Sequence, residues 1–304
     1  MKETIFVTGG TGNVGTEIVK IFAGNANFNV RAGARDTNAP SSVRVRELGS
    51  NVEVVTFDVD RPETLAPALR DVTRVYVLPP FIENMSDWHR DVTAAIAREK
   101  SVKYVVKHSV AGARASTPKS IPSLIPRLHY EGEERIAATG ISWSVIRPTI
   151  FMQHLTTMPW VYAKGDSSFY MPIGSGRAYF LDARDISLLA AHLLSAADPS
   201  AYFGRVFDLT GPEAIGGDDI ASSLSRVAGR PITWVDFSAQ DFAARMTAAG
   251  SSGWNTVQAL HVYADTKEGW LGKSRGDDLE RTTGHKSRSF EQFATDNASF
   301  FRRT

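Results

Sequence analysis

At 304 residues, 42% of them hydrophobic and 22% charged, the chain can bury a full core as one large domain or two fused ones. Its 34 basic and 33 acidic residues leave a net charge of +1, which offers no electrostatic footprint for nucleic acid or an anionic membrane. Cysteine is absent, so disulfides, zinc–thiolate sites and cysteine nucleophiles are excluded.

The first half alternates two periodicities. TIFVT, FNVRAG, VEVVTF, RVYVLP, VKYVVKHS and SWSVIRP are short runs rich in Val and Ile and bounded by turn residues, and they read as buried strands. Between them lie helical stripes. Val14, Ile18, Ile21 and Phe22 share a face, with Gly24 as C-cap; Asp60 is placed to cap a helix entered through Pro62, with Leu65, Ala68 and Leu69 inward. Met85, Trp88, Val92, Ala95 and Ile96 form a third stripe. Strands and helices in this alternation predict an α/β fold, a Rossmann-type doubly wound parallel sheet covered on both faces.

After residue 150 the rhythm breaks. Segment 151–183, rich in aromatics, Met and Gly, reads as loops over a pocket; helices near 184–197 and 218–228 and strands at RVFDLT and ITWVDF follow. The division expected is an NAD(P)-binding domain at 1–150 and a smaller mixed α/β substrate-binding part at 151–304, packed intimately and interleaved with the first. The chain opens directly on a strand, and no apolar run approaches the ~18 residues of a membrane span. A cytoplasmic protein with no membrane or nucleic-acid partner is therefore expected; a homodimer is left open.

Residues 8–15 read TGGTGNVG, between the first strand and the first helix. Thr8, Gly9, Gly10, Thr11, Gly12, Asn13, Val14 and Gly15 thus form a dinucleotide fingerprint: glycines admit a tight turn and a close pyrophosphate, which the helix N-terminus faces. At the end of the second strand, where an acidic residue would hold the ribose of NAD, stands RAGARD. Arg35 suits a 2′-phosphate, so NADP is favoured, with NADPH the preferred form; Asp36 keeps NAD open. Asp58 and Val59 after the third strand, and Leu78, Pro79 and Pro80 after the fourth, fall at the carboxyl edge where such sheets bind ligands. No metal is expected: there is no HExxH pair, and Asp182 and Asp185 of FLDARDI read as helix caps.

TGGTGNVG, Arg35, FDVDRPETL, VVKHSVAGA, HYEGE, WSVIRPTIFMQHL, FLDARDI and FDLTGPEAI together resemble the NmrA-like group of atypical short-chain dehydrogenase/reductases, over nearly the whole chain. That group holds NADPH-dependent quinone and triphenylmethane-dye reductases as well as redox-sensing regulators that bind the cofactor without turnover. The resemblance places Gly9, Gly12, Asn13, Val14 and Arg35 on the phosphates and adenosine. It puts Ser109 at the position of a catalytic or substrate-binding serine, Pro148 and Ile150 by the nicotinamide, and Phe151–His154 at the substrate pocket. Members of the wider superfamily carry Tyr-x-x-x-Lys in the region of RLHYEGEERI (127–136). Here the matching positions are His129 and Glu133, and shifting to Tyr130 meets Glu134, so the lysine is missing. A phenol without a neighbouring cation keeps a pKa near ~10 and is a poor base.

Hydride transfer to a conjugated aromatic, quinone or dye-like acceptor is the expected reaction, and a cofactor-sensing regulator the alternative. His129, with a reference pKa of about 6.5, is the expected proton donor and His108 its rival. Phe81, Trp88, His129, Phe151, His154 and Trp160, with Phe169 and Tyr170, are read as the wall of a pocket for a flat small-molecule substrate. Glu133 is read as structural, bonded to a backbone group or an arginine.

Overall fold

A computed structural model describes residues 2–113 and 124–302. In chain order the elements of the first half are β1 (Glu3–Val7), α1 (Asn13–Phe22), β2 (Phe28–Ala34), α2 (Pro40–Arg46), β3 (Val52–Thr56), α3 (Leu65–Leu69), β4 (Arg74–Val77), α4 (Met85–Arg98), β5 (Tyr104–His108), α5 (Ile125–Ala137) and β6 (Ser142–Pro148). There follow α6 (His154–Thr157), β7 (Ser168–Tyr170), α7 (Ala183–Ser195), β8 (Arg205–Leu209), α8 (Gly217–Ala228), β9 (Thr233–Val235), α9 (Ala239–Ala248), α10 (Gly253–Lys267), α11 (Asp278–Thr283), α12 (Phe290–Asp296) and α13 (Ala298–Phe301).

Seven strands form one sheet in the order β3-β2-β1-β4-β5-β6-β8, with parallel pairing from β3 through β6. The reversal of order between β1 and β4 is the switch point at which doubly wound sheets bind ligands beyond their carboxyl ends. All six strands expected in the first half are present, because each is a β-branched run that must be covered on both faces.

The chain divides into two compact units. The first comprises 1–115, 126–147 and 186–207, so residues of α7 fall with it. One of its cores joins Phe6, Val75, Val77 and Val105 of the sheet to Leu65, Leu69, Trp88, Val92, Ile96 and Ile136 of the covering helices. Two local expectations are corrected. Ile21 is 45% exposed, because Val14, Ile18 and Phe22 already fill the buried stripe of α1. Asp60 caps no helix: the chain enters a single 3-10 turn at Pro62–Thr64 behind Arg61, and Asp60 N–H is held by the Asp58 carboxylate (3.2 Å).

The second unit comprises 116–125, 148–185 and 208–304. Segment 151–183, expected as loops, instead supplies α6, β7 and much of a core in which Met152, Leu155, Tyr162, Phe169, Met171 and Phe180 meet Phe242, Tyr263, Phe290 and Phe293. β7 pairs in parallel with β9 as a separate two-stranded sheet. Among the described residues no helix is long and apolar enough to cross a membrane.

Candidate active site

The turn after β1 is shaped by contacts that exclude a side chain. A Cβ on Gly15 would stand 1.9 Å from the Gly9 carbonyl oxygen, and one on Gly10 would stand 2.5 Å from Ala32 Cβ. A Cβ on Gly12 would meet only the Gly9 carbonyl, at 3.5 Å. Gly10 and Gly15 therefore serve the protein itself, whereas Gly12 faces open space, as close approach of a phosphate requires. α1 begins at Asn13 with no side-chain cap and no acid in its first turn, so its orphan N–H groups and dipole are left to an anion. Thr8 locks the turn to β4, its hydroxyl donating to the Leu78 carbonyl (3.0 Å) and accepting from Leu78 N–H (2.9 Å).

At the end of β2, Arg35 is exposed. Asp36 is committed to its own loop, where its carboxylate accepts Asn38 N–H (2.8 Å). The sequence reading missed a second guanidinium here. Arg61 donates through Nη2 to the Arg35 carbonyl (2.6 Å) and through Nε to Asp58 (3.0 Å). Two arginines thus stand where an NAD site would present a carboxylate, and these residues fit a 2′-phosphorylated dinucleotide. Beyond β3 Val59 is half-buried; beyond β4 Pro79 is buried, Leu78 half-buried and Pro80 exposed.

The third feature is a buried polar cluster at the end of β5. Lys107, His108 and Ser109 are all buried, with Lys107 at 0% exposure. Lys107 Nζ donates to the His108 carbonyl and lies 3.5 Å from His129 Nδ1 on α5. One turn along α5, Glu133 accepts from Ser109 Oγ and is clamped by Arg147 of β6, at 2.9 Å to Oε1 and 2.5 Å to Oε2. His108 Nδ1 is 2.7 Å from the Tyr76 hydroxyl. On α4, His89 is buried with both ring nitrogens unpartnered, pressed against α5 where Gly132 leaves room; a Cβ there would be 2.6 Å from its ring. The polar loop leading into RLHYEGEERI falls largely on 114–123, outside the described residues.

Burial, reinforced by Lys107, His108 and His89, holds the His129 pKa well below the ordinary histidine range. Burial and Lys107 pull His108 down to about 3 and, with Arg135, His89 to about 2. None of these imidazoles stores a proton near neutrality, which corrects the expectation built on an unperturbed His129. Lys107 behaves differently: burial lowers it to about 7, against the opposing pull of Glu133. Tyr130 is no substitute, since the adjacent Glu134 charge pushes its phenol up. The signal for Lys107 was a second lysine deep in the apolar run VKYVVKHS, beyond the exposed Lys103 at its start.

The remaining expected residues fall elsewhere. Trp88 is buried in the first unit's core and Phe81 is 44% exposed. In the second unit, Ile150 is in the core and Phe151 forms a bridge with Leu181. The Phe151 and His154 rings are 5.9 Å apart; His154 Nδ1 is buried without a partner, and burial lowers its pKa to about 4. Trp160 packs against the core, Phe169 is within it, and Tyr170 is held between Phe237 (4.6 Å) and the Arg245 guanidinium (4.0 Å). Pro148 closes β6. Asp182 accepts from Arg184 N–H (2.9 Å) at the start of α7, as a cap would, but Asp185 pairs with Arg288 instead. Among the described residues no cluster of His, Asp and Glu could hold a metal.

The pattern of the NmrA-like family matches residues 1–293. The chain belongs to the NmrA-like family. NAD(P)H azoreductase of Xenophilus azovorans is 29% identical over 301 residues, 98% of this chain and 99% of that protein. The structure of Citrobacter sp. triphenylmethane reductase complexed with NADP(H) matches with a TM-score of 0.77 at 19% identity, over 97% of this chain and 99% of that one. The negative transcriptional regulator NmrA in complex with NAD matches with a TM-score of 0.75 at 14% identity, over 97% and 95%. At such identities the structural likeness establishes the fold, which serves a dye reductase and a regulator alike.

Proposed function

We propose that this NmrA-like protein is an NADPH-dependent reductase of the atypical short-chain dehydrogenase/reductase type, acting on an azo-, quinone- or dye-like acceptor without a tyrosine–lysine dyad. The observation that carries the reading is the turn at Gly12: open above, rigid below, and aimed from an uncapped helix, in a chain matching an azoreductase end to end. The bound nicotinamide cofactor supplies the hydride. Thr8–Gly15 cradle its pyrophosphate; Arg35, aided by Arg61, holds the 2′-phosphate; Asp58, Val59 and Leu78–Pro80 border the adenosine and ribose. Within the first unit, Ser109 stands by the nicotinamide and Phe81 by the acceptor. Trp88 is left out because its ring already belongs to a core.

An electron-poor azo bond or quinone accepts hydride without an ionised phenol. Glu133, at the lysine position, is occupied by Arg147 and Ser109, which supports a route that does without the dyad. The test is the near-ultraviolet absorbance of NADPH and, separately, NADH with azo dyes, quinones and cationic arylmethane dyes. Acceptor-dependent oxidation favouring NADPH is expected. Tight NADPH binding with no oxidation across the panel would replace this reading with the cofactor-sensing regulator.

A further inference from the structure

We propose that Lys107, reaching His129 from β5, is the proton reservoir of this site and takes over the place left empty by the missing helix lysine. The inference rests on the reductase reading and deepens it. Lys107 is wholly buried. Among the described residues, the groups recorded with it are His89 from α4, His129 and Glu133 from α5 and His108 beside it on β5; Arg135 acts on His89, Tyr76 of β4 bonds His108, and Ser109 and Arg147 of β6 hold Glu133. The only carboxylate among them, Glu133, is already held two-pronged by Arg147. An ammonium at Nζ is thus solvated by little more than the His108 carbonyl, in a region otherwise rich in imidazole.

Folding gives no reason for this arrangement. A buried cation without its own counter-ion lowers stability, and an unbranched apolar side chain would fill the same space. What the arrangement offers is a proton close to its release point: burial brings Nζ down to about 7, whereas His129 stays neutral. The proton count closes. The reduced acceptor, carrying the hydride as an anion, takes the N–H proton from His129 Nε2. His129 Nδ1 then takes a proton from Lys107 Nζ, which leaves the ring as its Nδ1–H tautomer beside a neutral amine. After product leaves, Nε2 takes a proton from water and Nδ1 returns its proton to the neutral amine, restoring the Nε2–H ring and the ammonium, so that each turnover adds one hydride and one proton to the acceptor. His129 is the residue that touches the acceptor; Lys107 acts through it.

The first test uses the unmodified, cofactor-free protein: side-chain nitrogen NMR of His129 and Lys107 as a function of pH. The expected result is a neutral Nε2–H ring whose Nδ1 signal shifts in one step, with the midpoint at which Lys107 loses its proton near neutrality. A Lys107 that titrates in the ordinary lysine range, or a His129 that keeps its hydrogen on Nδ1 throughout, would overturn the proposal. The second test compares wild type with Lys107→Met. Wild-type turnover should fall as pH rises through the Lys107 midpoint. The variant should lose that limb and about 100-fold in kcat, the scale of general acid catalysis, with an unchanged KM for NADPH. Unchanged kcat and pH profile would refute it. If no acceptor is turned over by wild type, the reductase reading fails, while the NMR titration still judges the Lys107–His129 coupling on its own.

Discussion

The glycine turn at 8–15 and the aromatic segment at 151–171 both looked site-forming in sequence, and the structure treats them differently. In the turn, a Cβ at Gly10 or Gly15 would overlap the backbone or Ala32, so glycine is demanded by steric exclusion. In the aromatic segment, Phe169 lies in the core, Tyr170 is sandwiched, and Trp160 packs against the same cluster. The difference is one of chemistry. A backbone approach below van der Waals distance admits one residue type, whereas a ring satisfies a core and a ligand pocket equally well.

The sharpest way to break this comparison is within the turn itself. Gly15→Val puts branched atoms on the Gly9 carbonyl and should cost more than about 4 kcal/mol, leaving little folded protein. Gly12→Val has room and should fold, with a melting temperature near wild type, yet bind no NADPH. Melting curves and NADPH fluorescence read both. A well-folded Gly15 variant, or a Gly12 variant that binds NADPH, would dissolve the assignment of one glycine to the fold and the other to the ligand.

Next in size is the contrast between two aromatics. Trp88→Ala removes a buried indole from the core formed with Val92 and Ile96 and should cost about 3–5 kcal/mol. Phe81→Ala removes an exposed ring and should change stability by about 0.5 kcal/mol or less, while raising the KM for the acceptor. Denaturant unfolding and steady-state kinetics separate the two. If Trp88→Ala were neutral for stability and altered KM instead, the ring would return to the substrate site.

The same contrast explains what could be read in advance. The six strands of the sheet and the cofactor turn were legible because hydrophobic period and glycine spacing are local signals. Lys107, Arg61 and Arg147 were not assigned, because their meaning arises only when β5 meets α5, β3 meets β2, and β6 meets α5. Lys107 was nevertheless visible: a charge in a strand buried on both faces must have a reason. Glu133 was read as bonded to a backbone group or an arginine, and of the two the structure shows the arginine, Arg147. His129 and His108, read as rival donors, have rings 6.5 Å apart, and the protonation expected of His129 is corrected, because burial cannot be measured along a sequence.

A smaller effect distinguishes the cofactors. Arg35 is exposed and Asp36 is engaged with Asn38, so Arg35→Ala should weaken NADPH by about 10- to 100-fold, the scale of a charge-assisted hydrogen bond, and leave NADH nearly unchanged. Calorimetric titration with each cofactor gives the ratio. Equal losses would mean that Arg35 serves the adenine or the fold, and that Arg61 alone reads the phosphate.

The smallest effect lies in the second unit, where α10 buries Asp265 with its Oδ1 unpartnered. Burial, assisted by the charge of Glu268, raises its pKa to about 6. The sign follows from linkage. Between the unfolded carboxyl pKa near ~3.9 and the folded value, the native state holds a proton that the unfolded chain has lost, so stability falls as pH rises across that window. Above it the full cost of an ionised, unpartnered carboxylate is present; below it there is none. Asp265→Asn keeps the shape without the charge and should stabilise the protein at pH above about 6, by less than about 1 kcal/mol once solvent screening is allowed for. Below the window the gain should vanish. Thermal melts of both proteins on each side of the window decide it. A gain that does not depend on pH would trace to the amide's hydrogen bonds, and a loss would show that the carboxylate has a partner that only its charged form can hold.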